Sequence, residues 1–392
     1  MKRPRAAALH ASCLRRTDDA AFACADEVTF KQWSSPMSRR STKYLKAALS
    51  ALHYSGLGEM MAPVTSGLGA IFMLHNVAPE TPEAFAPNRI LKITPEFLDL
   101  TIRQTMEAGF DVLSLDEVAV RLQEPNKPGR PFVAFTLDDA YRDNLVHAAP
   151  VFRRYGAPYT VYAPIDYVDG HGDLWWLALE KVIAALARVD CIIDGQAISM
   201  PVATVAEKDA AYHTIYWRLR RIDETVARAI VASLCQHAGL DTSTLCRDLV
   251  LDWDGLRELA ADPLVTIGGH TLRHYALAKL GAGAMRHEME SSIKRLETEL
   301  KRPIRHFSYP FGDVCSAGER EFDCARELGM VTAVTTRKGM IHARHAGAMM
   351  SLPRVSLNGD YQNVRYTKAL LSGAPFALYD LAKSFAPRAK AA

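Results

Sequence analysis

Short, continuous apolar runs alternate with helical segments along this chain, and this rhythm leaves few folds open. Residues 70–74, which read Ala-Ile-Phe-Met-Leu, form such a run between Gly69 and His75. Comparable runs lie at residues 109–113, 131–136, 159–163, 265–267, 306–308, 331–335 and 352–354. Strands that are buried on both faces have this pattern, and helical connections between strands are typical of a parallel sheet. The sequence therefore predicts an α/β fold, with the sheet either open or closed into a barrel.

Helix signals between the runs agree with this prediction. Thr94 is suited to be an N-cap, and Pro95 follows it at the first helical position. Phe97 and Ile102 then supply the apolar face of a helix, and residues 283–300 carry a second helical pattern.

Length and patterning divide the chain of 392 residues into three parts. We expect residues 1–66 to be an N-terminal leader and helical extension, and residues 67–365 to form the α/β core. Residues 366–392 are predicted to form an amphipathic helix with a basic tail. Within the core, residues 174–261 show helical patterning and no clear buried strand, so we interpret them as a helical insertion.

Composition narrows the functional classes. A hydrophobic fraction of 49% with 23% charged residues indicates an ordinary globular protein. The net charge of +3 gives no argument for nucleic acid, although residues 1–45 hold nine Lys and Arg against four Asp and Glu. No apolar run approaches the roughly 18 residues of a membrane-spanning helix. The seven cysteines form no Cys-x-x-Cys pair, and we find no clear signal peptide, so we expect a cytoplasmic location.

Polar residues suited to a metal ion follow three of the predicted strands. Asp138 and Asp139 end one strand, His270 and His274 follow a second, and residues 308–312 follow a third. Functional residues of parallel α/β folds collect at these carboxyl ends of strands. Histidines four residues apart share one face if the segment turns helically. One carboxylate and two imidazoles would form a metal site with open coordination positions.

In these motifs the chain resembles the polysaccharide deacetylases, the carbohydrate esterase family that includes the chitooligosaccharide deacetylases of nodulation. Residues 135–144 are similar to the first motif of that family, and residues 269–274 match its His-Thr-x-x-His motif. Residues 308–312 resemble the third motif, and residues 352–354 lie where the last motif falls. The resemblance spans roughly residues 69–360 apart from the insertion, and it implies a distorted (β/α) barrel.

The resemblance also implies roles for individual residues. Asp139, His270 and His274 would bind a divalent metal. Zinc is the leading candidate, and such ligands also suit cobalt, nickel or manganese. Asp138 would be the general base that takes the proton of the attacking water. Backbone N–H groups near Phe311 would stabilise the tetrahedral oxyanion. The substrate would be an N-acetylated oligosaccharide or polysaccharide.

Two departures from the family pattern leave roles open. Many members carry an arginine that pairs with the base, and Ser308 stands in that place here. The last motif usually contributes the general-acid histidine, but residues 352–357 contain none. Arg354 is a candidate to orient the base or the substrate. Three other histidines are candidate acids, although each also suits a structural or surface role, namely His75, His342 and His345.

Two features near the predicted site have competing interpretations. Trp175 and Trp176, at the start of the insertion, could line a sugar groove or pack in a core. The insertion is accordingly predicted to be a small helical cap that borders the groove or only packs on the barrel. Glu288 follows His287, but position 291 is serine, so the pair does not form a His-Glu-x-x-His motif. We interpret Glu288 as part of a solvated helix face.

The leading functional hypothesis is a metal-dependent hydrolase that removes N-acetyl groups by cleaving an amide C–N bond. A glycosidase would need a second carboxylate roughly 5–9 Å from Asp138, and it would leave His270 and His274 unexplained. A catalytically silent barrel that binds a glycan or a partner protein is the other alternative. The missing acid histidine and Ser308 favour that alternative.

Overall fold

A computed structural model describes residues 39–81, 83–124 and 129–385. The leader predicted before residue 39 and the basic tail predicted after residue 385 lie outside these ranges. Within them, no helix combines the length and the apolar composition needed to cross a membrane.

Parallel strands form a closed barrel at the centre of the fold. All strands of the described residues, inside and outside the barrel, are β1 (Gly69–Leu74), β2 (Asn76–Val77), β3 (Lys92–Ile93), β4 (Asp111–Val112), β5 (Phe132–Leu137), β6 (Tyr159–Ala163), β7 (Arg188–Ile193), β8 (Gln196–Pro201), β9 (Val265–Gly269), β10 (His306–Ser308), β11 (Thr332–Lys338) and β12 (Leu352–Ser356). The order around the barrel is β1-β12-β11-β10-β9-β6-β5, and β5 pairs with β1 to close it. Strand β4 pairs only with the beginning of β5. The predicted (β/α) barrel is confirmed.

Helices occupy most of the connections between the barrel strands. The α-helices of the described residues are α1 (Arg39–Tyr54), α2 (Leu57–Thr65), α3 (Pro95–Glu107), α4 (Leu115–Gln123), α5 (Ala149–Tyr155), α6 (Ile165–Val168), α7 (Trp175–Ala185), α8 (Val205–Leu219), α9 (Glu224–His237), α10 (Leu245–Leu249), α11 (Trp253–Ala260), α12 (Ala282–Leu300), α13 (Glu319–Glu327), α14 (Val364–Leu371) and α15 (Ala374–Phe385). The predicted start of α3 is confirmed, because the Thr94 side chain accepts a hydrogen bond from Phe97 N at 3.1 Å.

Strand β1 closes the barrel at a point where only glycine fits. Gly69 has a φ of 155°, and a Cβ atom there would lie 2.0 Å from the carbonyl oxygen of Phe132. Farther along β1, the backbone carbonyl of Phe72 accepts a hydrogen bond from Thr136 Oγ1 at 2.7 Å. The Phe72 ring packs on Phe135 with their centroids 5.3 Å apart. These contacts hold the first strand against β5, and the loop that carries Asp138 and Asp139 follows β5.

The insertion at residues 174–261 is not purely helical, so that part of the prediction is wrong. Strands β7 and β8 pair as an antiparallel hairpin. Asp194 and Gly195 form its turn with φ values of 53° and 68°, the left-handed pair that two-residue hairpins favour. Five helices, α7 to α11, make up most of the remaining segment.

The C-terminal region forms two helices where one was predicted from residue 366. Gly373 separates α14 from α15 with a φ of 73°, which disfavours residues with side chains. A Cβ atom at Gly373 would lie 2.0 Å from the carbonyl oxygen of Thr65. The break therefore follows from the close approach of this turn to the end of α2.

Candidate metal centre

The three predicted metal ligands lie together at the carboxyl end of the barrel. Asp139 follows β5, and His270 and His274 belong to the loop after β9. Their potential ligand atoms all lie within 4.8 Å of one another. Asp139 Oδ1 is 3.5 Å from His270 Nε2 and 3.3 Å from His274 Nε2. All three side chains are buried, so this cluster is shielded from bulk water.

Left-handed backbone at residues other than glycine shapes both ligand loops. Asp139 and Ala140 have φ values of 74° and 50°, and Thr271 and His274 have values of 66° and 56°. Such conformations cost about 1–3 kcal/mol each and cluster at functional sites. The surrounding fold therefore compensates this cost while it directs the side chains toward one point.

A hydrogen bond fixes the orientation of His270. Its Nδ1 lies 2.6 Å from the carbonyl oxygen of Ser308. Because a carbonyl oxygen only accepts, Nδ1 carries the hydrogen. In the neutral form of the ring, Nε2 is then the nitrogen without a hydrogen, and it faces Asp139. A backbone carbonyl in this position is typical of metal-ligating histidines.

Aromatic rings surround His274 and keep it neutral. Its ring centroid lies 5.2 Å from that of Trp176, 5.6 Å from Tyr167 and 4.9 Å from Phe311. Burial lowers the pKa of His274 to about 3, although the nearby Asp139 carboxylate opposes the shift. The imidazole is therefore unprotonated at neutral pH, which is the form that binds a metal.

The donor set of the cluster fits a divalent transition metal. Asp139 Oδ1 is buried and has no hydrogen-bond partner among the described residues, whereas buried polar atoms normally have one. That oxygen faces the Nε2 atoms of His270 and His274. Two nitrogens and one carboxylate oxygen leave positions free for water and substrate.

Arg354 holds the predicted base, Asp138. Its Nη1 and Nη2 donate to the two carboxylate oxygens at 2.9 and 2.8 Å, and both side chains are buried. Arg354 also donates to Ser308 Oγ at 3.1 Å and to the carbonyl oxygen of Thr335 at 2.9 Å. Burial alone would raise the pKa of Asp138, but the guanidinium outweighs it and holds that pKa well below its ordinary value. The structure thus brings Arg354 to the carboxylate that the missing third-motif arginine would otherwise pair with.

His75 is the candidate acid that the fold brings to this site. It follows β1, and its Nε2 lies 3.9 Å from Asp138 Oδ2. The side chain is 19% exposed, so it is accessible to a substrate. Asn144 Nδ2 donates to the backbone carbonyl of His75 at 2.8 Å, which fixes this loop beside the first motif.

The other two candidate acids lie elsewhere. His342 and His345 follow Ile341, which forms a β-bridge with Gly69 at the beginning of β1. That is the amino-terminal end of the barrel, opposite the metal cluster. Neither residue is placed to supply the acid, which leaves each with the structural or surface role that it also suited. The sequence shows proximity along the chain but not the end of the barrel to which a loop returns.

Phe311 lies beside the metal cluster, where the third motif turns. It has a φ of 60°, and its carbonyl oxygen accepts a hydrogen bond from Thr336 Oγ1 at 2.6 Å. The Arg220 guanidinium, from the insertion, lies 3.6 Å from the Phe311 ring centroid. The backbone of this turn is therefore fixed next to His274.

The insertion supports the metal ligands. Trp175 and Trp176 are only 4% and 5% exposed, so the structure favours the packing interpretation over a sugar groove lined by these rings. From α9, Arg228 Nη2 donates to the carbonyl oxygen of His274 at 3.3 Å. Arg228 is also paired with the buried Glu224 at 2.6 Å. The insertion therefore packs behind the ligand loop.

Glu288 is buried, and its interpretation as a solvated residue is wrong. Its carboxylate accepts hydrogen bonds from the backbone N–H of Leu272 at 3.0 Å and of Arg273 at 2.9 Å. Arg273 Nε donates to the same carboxylate at 2.6 Å. Glu288 thus holds the loop between the two histidine ligands. The sequence held a signal for this burial, because Glu288 lies three residues after Met285 and four before Ser292. This spacing places the three residues on one face of α12, which is the buried face.

We expect Glu288→Gln to weaken metal binding by about tenfold, because partners that orient ligands typically contribute 10–100-fold to metal affinity. Glutamine keeps the shape but loses the charge that binds two backbone N–H groups and Arg273. Competition with a chelator measures the effect. Glu290→Gln is the matched control, since Glu290 lies on the same helix and pairs with the exposed Lys294. Equal metal affinity in the two variants would remove this role from Glu288.

Comparison with known proteins gives one family. Residues 125–333, just over half of the chain, match the model of the polysaccharide deacetylase family. YxkH of Bacillus subtilis strain 168, which bears the name of a polysaccharide deacetylase, is 23% identical over 151 residues. That match covers 38% of this chain and 50% of YxkH, so the chain matches half the length of this relative.

Two solved structures are similar to this chain. The deacetylase PplD of Streptococcus pyogenes, solved in complex with acetate, has a TM-score of 0.52 at 17% identity, over 78% of this chain and 97% of its own. IcaB of Ammonifex degensii has a TM-score of 0.48 at 14% identity, over 77% of this chain and 96% of its own. The likeness to PplD identifies the barrel architecture.

Proposed function

This chain belongs to the polysaccharide deacetylase family, and from that premise we propose that it is a metal-dependent hydrolase. It removes N-acetyl groups from a polysaccharide or chitooligosaccharide by cleaving the amide C–N bond. The observation that carries the proposal is the buried Asp139, His270 and His274 cluster next to an ionised Asp138. Zinc suits this ligand set best, and cobalt, nickel or manganese are the alternatives.

The residues around the cluster supply the proton transfers of amide hydrolysis. A divalent ion held there would lower the pKa of a nearby water and polarise the substrate carbonyl. Asp138 accepts the proton of the attacking water, since Arg354 keeps its carboxylate ionised and fixes both oxygens. We assign the stabilisation of the oxyanion that forms from the carbonyl to a backbone N–H group near Phe311, whose ring packs beside His274.

His75 is the residue that we assign to the leaving group. An amine leaves easily only when its nitrogen receives a proton, and His75 lies beside Asp138 with its ring partly exposed. Burial lowers the pKa of His75, and the carboxylates of Asp138 and Asp139 oppose this shift. Because the protonated ring is the donor, activity falls as the pH rises through this pKa.

We expect His75→Gln to lower kcat by about 10²-fold or more, as is typical of losing a general acid. Bound metal should be unchanged, and the alkaline decline of the pH–rate profile should disappear. His342→Gln is the matched control at the opposite end of the barrel, and it should retain wild-type kcat. An unchanged alkaline decline in the His75 variant would assign that decline to another group.

One assay separates the proposal from its alternatives. The purified protein is loaded with zinc, and both acetate release and chain shortening are followed with an N-acetylated chitooligosaccharide. We expect acetate release that a chelator abolishes, with the sugar chain intact. Bound metal without acetate release would indicate the silent barrel, and chain shortening would indicate a glycosidase.

His270→Ala should hold well below one equivalent of metal and release no acetate.

We propose further that the protein works in the cytoplasm on an N-acetylated glycan and does not bind nucleic acid. The scattered cysteines support a reducing compartment. Fractionation with compartment markers tests the location. Recovery of the protein outside the cytoplasm and away from the cytoplasmic face of the membrane would contradict it.

A further inference from the structure

Exposed apolar side chains concentrate on the helices at the two ends of the chain. Nine of the seventeen large hydrophobic side chains that are exposed within the described ranges lie on α1, α2 and α15. These helices make up only about a tenth of the described residues. The excess is therefore local, unlike the isolated apolar residues found on most protein surfaces.

Helix α2 presents an apolar stripe to solvent. Leu57, Met60 and Val64 are 41%, 78% and 83% exposed. Their spacing of three and four residues places them on one face of the helix. On α15, Leu378 and Leu381 are also exposed at a spacing of three residues.

Helix α2 ends against the turn that begins α15, so the exposed apolar residues of the two helices lie on neighbouring elements of the surface. Thr65 Oγ1, at the end of α2, donates to the carbonyl oxygen of Ser372 at 2.6 Å. Gly373 then packs on the backbone of Thr65, and α15 begins at the next residue. We call this surface the terminal-helix face; its exposed apolar residues are Tyr54, Leu57, Met60, Val64, Leu378, Tyr379 and Leu381.

The helices at the two ends of the described chain carry a net positive charge. Residues 42–65 and 364–384 contain five Lys and Arg against two Asp and Glu. Their net charge of +3 equals that of the whole chain, so the remainder has no net charge. Apolar side chains framed by basic residues are typical of helices that lie on the surface of an anionic membrane.

The end of α2 lies at the end of the barrel opposite the metal centre. Strand β1 begins four residues after α2 ends, so the end of α2 lies near the amino-terminal end of the barrel. The metal cluster lies at the carboxyl ends of the strands. A surface bound to the terminal-helix face would leave the site open to a glycan.

We propose that the terminal-helix face docks on an anionic lipid bilayer. A second copy of this chain is the less favourable occupant, because pairing two such faces brings two sets of excess positive charge together. An anionic bilayer instead attracts each Lys or Arg near its surface by about 1 kcal/mol, and it accepts the apolar stripe.

Co-sedimentation with lipid vesicles tests this proposal. The full chain is mixed with phosphatidylcholine vesicles that contain or lack phosphatidylglycerol, at about 0.1 M and about 1 M salt. We expect binding only to the anionic vesicles, and weaker binding at high salt. Met60→Glu with Val64→Glu should lower the partition coefficient by at least about tenfold. Val120→Glu with Val146→Glu is the matched control on other exposed sites, 57% and 55% exposed, and should bind like wild type.

Several outcomes would overturn the proposal. The proposal is wrong if the wild type sediments with neither kind of vesicle. It is also wrong if the Met60 and Val64 variant binds anionic vesicles as strongly as the wild type does. A dimer in light scattering that this variant dissociates would assign the face to a second copy. Acetate release from a soluble oligosaccharide should be equal in both double variants, which separates this proposal from that of the catalytic site.

Discussion

Asp138→Asn is expected to lower kcat by about 10²–10⁴-fold while bound metal stays near one equivalent. The amide cannot accept the proton of the attacking water, yet it has nearly the shape of the carboxylate. Asp139, His270 and His274 remain to bind the metal. Metal analysis and acetate release on the same sample separate the base from the ligands.

The control for this variant is Asp111→Asn on β4, at the other end of the barrel, which should leave kcat unchanged. Asp138→Asn also leaves the Arg354 guanidinium without its anion, so the variant should unfold at lower denaturant concentration than the control. The assay is therefore run where both proteins are folded, as shown by circular dichroism. Acetate release at the wild-type rate under these conditions would remove Asp138 from the role of base.

The metal cluster could be predicted because the fold itself brings strand ends together. Asp139 follows β5, while His270 and His274 follow β9, and only β6 lies between these strands in the barrel. A chain that alternates buried strands with helices places the residues after each strand at the same end of the barrel. The strand pattern and the residues that follow each strand were therefore sufficient to predict the cluster. The hairpin of β7 and β8 gave a weaker signal, since β7 alternates buried with exposed positions and contains Asp190 among apolar residues.

Arg354 and His75 could be named as candidates, but the contacts that support the site could not be predicted from local sequence. Arg354 reaches Asp138 across 216 positions of the chain, and that contact depends on the register of β12 in the closed barrel. Glu288 bonds a loop 15 residues away because α12 packs against the barrel. His75 lies 63 positions before Asp138, and only the pairing of β1 with β5 makes them neighbours. These contacts are properties of the closed barrel.

Arg354→Ser is expected to lower the free energy of unfolding by roughly 3–5 kcal/mol, because it leaves a buried carboxylate without its partner. Burial then raises the pKa of Asp138, opposed by the weaker effects of His270 and His75. In the wild type, the depressed pKa contributes stability that is present above the unfolded value of about 3.9 and is lost as the pH falls through the native value. In the variant the sign reverses, so stability should decline as the pH rises above about 4.

Arg354→Ser should also lose at least about 10²-fold in kcat near neutral pH, since the Asp138 carboxylate loses the guanidinium that fixes both of its oxygens. The double variant Ser308→Arg with Arg354→Ser tests whether position 308 can hold the arginine instead. Arg354 Nη2 already lies 3.1 Å from Ser308 Oγ, so a guanidinium from residue 308 has a path to Asp138 through the volume that Arg354 vacates. We expect the double variant to recover part of both the lost rate and the lost stability. Denaturant unfolding at several pH values and acetate release measure the two recoveries. A double variant no better than Arg354→Ser in either property would show that the guanidinium must come from β12.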